Sequence, residues 1–153
     1  MKPKLLVSAC LLGAPCRYDG RSKRNEAVCA LAEAFELIPV CPEVLGGLPT
    51  PRTPSERRGT RVVRKDGRDV TVEYRRGAEA ALETARREGA AAAVLKERSP
   101  SCGSGEVYDG TFTGTLTAGD GVTAEVLKAH GFAVFGESGE SLSGLRRSLG
   151  QST

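Results

Sequence analysis

The reactive chemistry of this sequence is concentrated in its cysteines. Cys10, Cys41 and Cys102 lie far apart in the chain, so no local CxxC metal code is involved. Each follows a short apolar run. Lys4–Ser8 (KLLVS) precedes Cys10, Leu37–Val40 (LIPV) precedes Cys41, and Ala91–Leu95 (AAAVL) opens the segment that leads to Cys102. Parallel strands place their carboxyl ends on one edge of a sheet, where ligands bind. If the three runs are such strands, three distant cysteines converge. Three thiolates suit a soft metal centre. An iron–sulfur cluster lacking its usual fourth cysteine fits that description. So does a zinc ion with three cysteines, and three buried thiols with no metal is the remaining reading.

The other candidates are weighed against these three. Cys16 lies in the same loop as Cys10 and reads as a ligand, a redox partner of Cys10 or a bystander. Cys29 sits among Val28, Ala30 and Leu31 in a helical stretch, where a free cysteine behaves as a small buried hydrophobe. Glu43 follows Cys41 by two residues in CPE, and a carboxylate beside a metal pocket is a natural general base. The alternative for Glu43 is a helix-capping or surface role. Ser99 and Ser101 flank Pro100 just before Cys102 (SPSCG). Either hydroxyl can bond a substrate or shape the turn. Gly103 and Gly105 permit close backbone approach to a ligand. His130, the only histidine, ends a helical stretch where its charge suits the dipole, so no Cys/His pair is expected.

These residues need a scaffold. The first apolar run gives way to a turn-rich segment holding Gly13, Pro15, Asp19 and Gly20. Asn25 is a candidate N-cap for a helix reaching about Phe35. The segment from Pro42 to Gly59 carries four prolines and three glycines and is expected to be loop. Arg61–Val72 holds two β-branched pieces around Asp66–Gly67, a hairpin signal. Glu73–Glu88 has strong helical composition and ends at Gly89. The stretch from Lys96 to Gly121 is a long Gly/Ser/Thr-rich loop, and such loops in compact domains are usually functional. Thr123–His130 is a helix with Asp120 as candidate N-cap, and Phe132–Phe135 (FAVF) is a fourth strand. The tail from about residue 138 is expected to be frayed or a short helix. Strands alternating with amphipathic helices predict an α/β fold. Its form is a Rossmann-like, mainly parallel sheet flanked by helices, with a small β-hairpin insertion, in a single domain spanning 1–153.

Charge narrows the partners. The chain has 22 Lys and Arg against 19 Asp and Glu, a net charge of +3, too mild to argue for nucleic acid. Clusters such as Arg57–Arg58 and Arg75–Arg76 read as solvated surface or as a rim for an anion. No apolar stretch approaches the roughly 20 residues of a membrane span, and no signal peptide is visible. The expected compartment is cytoplasmic, where disulfides are uncommon, and five cysteines is an odd number for a paired framework.

Four segments, VSACLLGAPCRYDG, LIPVCPEVLGGLPTPR, LKERSPSCG and YDGTFTG, together resemble a bacterial family that includes the thiouracil desulfidases. The resemblance runs from about Lys4 to Phe135. It implies a [4Fe–4S] cluster held by only three cysteines, with one iron not bound by protein and free for the sulfur of a thiolated pyrimidine. By motif match the ligands are Cys10, Cys41 and Cys102, the catalytic carboxylate is Glu43 and the catalytic serine is Ser99. Cys16 is not needed as a ligand in this mapping. The implied activity is non-redox conversion of thiouracil, or of a thiolated uracil nucleotide, to the oxo form with sulfide release. Tyr18, Arg17 and Asp19 are expected near the pocket, and Arg52 is a candidate for binding a substrate phosphate. No second domain of the kind fused to larger relatives is seen, which argues against intact nucleic acid as substrate. The alternatives are a zinc- or thiol-based sulfur-handling protein and a non-enzymatic iron–sulfur binding module.

Overall fold

The computed structural model describes residues 2–150. Four strands form one parallel sheet: β1 (Lys4–Ser8), β2 (Glu36–Val40), β5 (Ala92–Val94) and β8 (Val134–Phe135), in the order β2-β1-β5-β8. Side chains alternate across the sheet as strand geometry requires. Leu5, Val7, Ala92 and Val94 face one layer, with Val28, Leu31, Phe35, Leu142 and Leu145 packed over them. Leu6 and Ala93 face the other, against Ala81, Leu82, Ala85, Ala124 and Leu127. The result is a three-layer α/β/α fold, as the alternating pattern predicts. No helix among the described residues is long and apolar enough to cross a membrane.

The helices depart from expectation in instructive ways. Asn25 caps α1 (Glu26–Cys29), accepting a bond from the Val28 amide at 3.0 Å. The α-helix then tightens into a 3-10 turn, Ala30–Glu33, and does not run to Phe35. The tighter turn lets both Leu31 and Phe35 reach the core before β2 begins. The prolyl segment hides α2 (Pro42–Leu45), because proline at the first helical position loses no bond that the helix would use. α3 (Thr71–Glu88) starts two residues earlier than predicted, with the Asp69 carboxylate accepting from the Thr71 amide. Asp120 does not cap α4 (Val122–Ala129). Gly121 holds that position, and the Asp120 carboxylate bonds the Gly105 amide and Lys128 instead. In the tail, α5 (Gly139–Ser148) forms, with Ser138 accepting from the Ser141 amide and Leu142 and Leu145 in the core.

Two antiparallel hairpins lie outside the sheet. The first pairs β3 (Ser55–Arg58) with β4 (Arg61–Arg64) around Gly59–Thr60. The predicted turn at Asp66–Gly67 exists, with Gly67 at φ +93°, but its return limb makes only one bridge, Val63 to Asp69. The second hairpin, β6 (Glu106–Tyr108) with β7 (Leu116–Ala118), structures the long Gly/Ser/Thr-rich segment.

Candidate active site

A cavity of about 580 Å³ opens at the carboxyl edge of the sheet, and Cys10, Cys16, Cys41 and Cys102 all line it. That volume lies within the range of small-molecule sites. Cys10 follows β1 in a short 3-10 turn, Ala9–Leu12. Cys41 links β2 to α2. Cys102 comes from the segment after β5. The three cysteines reach one place from three adjacent strands, as the topology predicts.

Each thiol is held by different neighbours. Cys102 is buried, and burial pushes its thiol up to about 12, partly offset by hydrogen bonds with Ser8 and Ser101. The Cys41 thiol is raised far above its ordinary value by its hydrogen bond with Cys16 and then by burial. It also donates to the Cys16 carbonyl at 3.8 Å. The Cys16 thiol touches both Cys10 and Cys41 and is raised chiefly by Cys10. Cys16 is therefore a member of the pocket, a placement that its sequence position left open. Cys29 is not: its thiol donates to the Leu11 carbonyl at 3.8 Å inside the helical layer.

Glu43 sits in the first turn of α2 and lines the cavity. Its Oε2 is gripped by Arg52, with Nε at 2.8 Å and a second guanidinium nitrogen at 2.7 Å. The side chain of Tyr74 of α3 also bonds Glu43. Burial and the Glu43 charge push that buried hydroxyl well above its usual range. Arg52, the candidate phosphate ligand, has its guanidinium bonded within the protein to Glu43, to the Cys16 and Pro49 carbonyls and to Thr50.

Ser99 and Ser101 separate cleanly. Ser99 Oγ accepts from the amides of Ser101 (3.1 Å) and Cys102 (3.0 Å) and lines the cavity. It shapes the turn that presents Cys102, and its own O–H remains available to donate. Ser101 is fully buried and bonds the Thr123 hydroxyl at 2.8 Å, so it is structural. Gly103 is packed against its own backbone, where a Cβ would lie 2.9 Å from the Ser99 carbonyl oxygen. It does not serve ligand approach. The carbonyls of Pro100, Ser101 and Gly103 accept the first amides of α4 and its preceding residue, which ties the Cys102 turn to a helix end whose donors would otherwise be orphaned. His130 ends α4, its Nδ1 3.2 Å from the Val126 carbonyl, a structural role as expected.

Arg17 and Tyr18 line the cavity, and the Arg17 guanidinium stands 5.7 Å from the Tyr18 ring centroid. Asp19 lies outside the lining and accepts from the Arg21 amide. Sequence reasoning missed Lys23, Glu56, Lys65, Lys96, Arg98 and Phe112, which also line the cavity. Several reach it on the hairpins, whose polar strands give no hydropathy alternation to read. Glu56 joins the hairpins, accepting from the amides of Gly110 and Phe112. Cations outnumber carboxylates in the lining, so the pocket favours anionic contents.

The donor set can be tested against the candidate metals. Among the described residues, no three His, Cys, Asp or Glu side chains converge as donors for one metal ion. A zinc site needs thiolates about 2.3 Å from a common point. A cluster takes each thiolate on a separate iron, and Cys10, Cys41 and Cys102 all line one cavity.

The comparisons bear on the same point. A model of the family described as 2-thiouracil desulfurase matches residues 5–139. The uncharacterized protein YbbK of Bacillus subtilis (strain 168) is 42% identical over 144 residues, covering 88% of this chain and 95% of that one. A solved structure described as the [4Fe–4S]-dependent thiouracil desulfidase TudS superposes with a TM-score of 0.90 at 49% identity, covering 97% of this chain and 99% of the other.

Proposed function

The chain belongs to the 2-thiouracil desulfurase family, and from that premise we propose that it is a [4Fe–4S]-dependent, non-redox desulfidase. It converts thiouracil, or a thiolated uracil nucleotide, to the oxo form and releases sulfide. One observation carries the reading: cysteines from three adjacent strand ends line the same cavity as a buried-edge carboxylate and a serine with a free O–H. Cys10, Cys41 and Cys102 are the thiolates that hold the cluster. When bound through three thiolates, such a cluster supplies one iron free of protein ligand, a soft Lewis acid for the sulfur of a thiocarbonyl.

The chain's own groups do the rest. Glu43 takes the proton of a water directed at the ring carbon that bears sulfur. Ser99 donates its O–H to a ring nitrogen or oxygen, because its own oxygen is already committed to two amides. The cationic lining stabilises negative charge that develops on the ring as water adds. Overall, the thiocarbonyl and one water become a carbonyl and hydrogen sulfide, with no electron transferred.

The test is anaerobic. Purified protein, reconstituted with iron and sulfide, is assayed for iron per chain and for sulfide released from 2- and 4-thiouracil. The expected result is a brown protein with about four irons per chain and sulfide matching the pyrimidine consumed. Colourless protein without iron returns the case to zinc or thiol chemistry. A loaded protein that releases no sulfide is a binding module instead.

A further inference from the structure

We propose that Arg52 is the positioning residue for Glu43 and does not contact substrate. The inference rests on the reading of Glu43 as the base. A guanidinium has five N–H donors in a fixed plane, and here each of its three nitrogens donates within the protein. Nε and one terminal nitrogen hold Glu43 Oε2 at 2.8 and 2.7 Å. The same terminal nitrogen donates to the Cys16 carbonyl at 2.9 Å. The other terminal nitrogen donates to the Pro49 carbonyl at 3.1 Å and to Thr50 Oγ1 at 3.0 Å. The side chain is 7% exposed, and Glu43 is 16% exposed. Each guanidinium nitrogen is thus engaged by the protein's own acceptors and turned away from a phosphate or a ring oxygen.

The acceptors come from separate segments of the pocket wall. Cys16 is in the loop after β1, Glu43 is on α2, and Pro49 and Thr50 form the turn beyond it. The Arg52 amide donates to the Tyr18 carbonyl at 2.7 Å, which ties the same segment a second time. Both Arg52 contacts end on Oε2, and the Tyr74 hydroxyl also bonds this carboxylate. A planar guanidinium meets Oε2 with two nitrogens while donating to the pocket wall from its other edge, which a lysine ammonium cannot reproduce. Lys23 and Lys65 line the cavity without an ion pair among the described residues, and they are the cations open to an anionic substrate.

The experiment compares Arg52→Ala and Arg52→Lys in the wild-type and Glu43→Ala backgrounds, as cluster-loaded protein under anaerobic conditions. Iron per chain, kcat and KM are measured with 4-thiouracil and with a thiolated uridine monophosphate. Both variants are expected to retain iron, to lose about 100-fold in kcat and to hold KM within about threefold, equally for the two substrates. Added guanidinium restores part of kcat to Arg52→Ala and none to Arg52→Lys. In the Glu43→Ala background neither substitution costs more. Should Arg52→Ala shed its iron, Arg52→Lys, which keeps the buried charge, carries the comparison. Unchanged kcat overturns the proposal. So does a KM rise confined to the phosphate-bearing substrate, or a loss that adds to that of Glu43→Ala. A wild-type protein that turns over no thiopyrimidine overturns the desulfidase reading itself, and the role of Arg52 falls with it.

Discussion

Cys29 and Cys102 are both partly or wholly withdrawn from water, yet alanine should treat them differently. Cys102 faces the cavity, and Cys29 faces the Leu11 carbonyl in the helical layer. Cys10→Ala, Cys41→Ala and Cys102→Ala are each expected to abolish iron binding, measured as iron per chain after anaerobic reconstitution. Cys29→Ala and Cys16→Ala are expected to keep it. Loss of iron in Cys16→Ala would make the ligand set four and remove the open iron on which the chemistry depends. Cys16 marks the limit of what was legible at this scale. Strand ends could be inferred from apolar runs, so Cys10, Cys41 and Cys102 were found. The path of the loop after Cys10 is set by particular bonds, such as Arg52 to the Cys16 carbonyl, which no local pattern encodes. The same holds for Arg52, which reads as a candidate phosphate ligand until its four acceptors are seen.

Among the elements, α2 and α3 fix Cys41 and Glu43 most directly. A Cβ on Gly77 of α3 would lie 1.9 Å from the Pro42 carbonyl oxygen, and one on Gly46 would lie 2.0 Å from the Glu73 carbonyl oxygen. Both obstacles are backbone and cannot swing aside, so the two helices touch through glycine. Two effects of Gly77→Ala therefore compete. Helix propensity favours alanine by about 1 kcal/mol, and forced separation of packed backbones costs about 1–3 kcal/mol. The clash should win, because the approach is far inside van der Waals contact. Gly77→Ala is expected to lower the melting temperature and to reduce iron occupancy, since α2 carries the wall beside Cys41. A rise in melting temperature with full iron would show that α2 is free to move. The strong helical period made α3 readable to within two residues. α2 was lost inside a prolyl stretch, and β3 (SERR) has no apolar alternation, so the hairpin was placed one turn too late.

At the scale of the whole molecule, the sheet order was not readable, but its parallel sense was, and that sense alone brings the ligand loops to one edge. These loops stretch from Cys10 to Cys102, so loading joins distant segments and should stabilise the fold. Protonation sets how that stabilisation varies with pH. Burial lifts the unloaded Cys102 thiol to about 12, and Cys41 is raised in the same direction by Cys16 and burial. A thiol raised on folding contributes stability that is fully present below the unfolded value of about 8.5. That stability is lost as pH climbs from there through the folded value. Metal-bound thiolates are already deprotonated, so the loaded protein has no such loss, and loading releases a proton for each neutral thiol it takes up. Both effects act in one direction. The melting temperature of loaded protein should exceed that of unloaded protein, and the gap should widen from pH 7 to pH 9, each released proton adding up to about 1.4 kcal/mol per pH unit. Anaerobic calorimetry on the two forms measures the gap. Cys29→Ala should leave its pH dependence unchanged, because that thiol lies outside the cavity. A gap that stays level or narrows across this range would mean that the thiols are already ionised before loading, or that they do not hold the cluster.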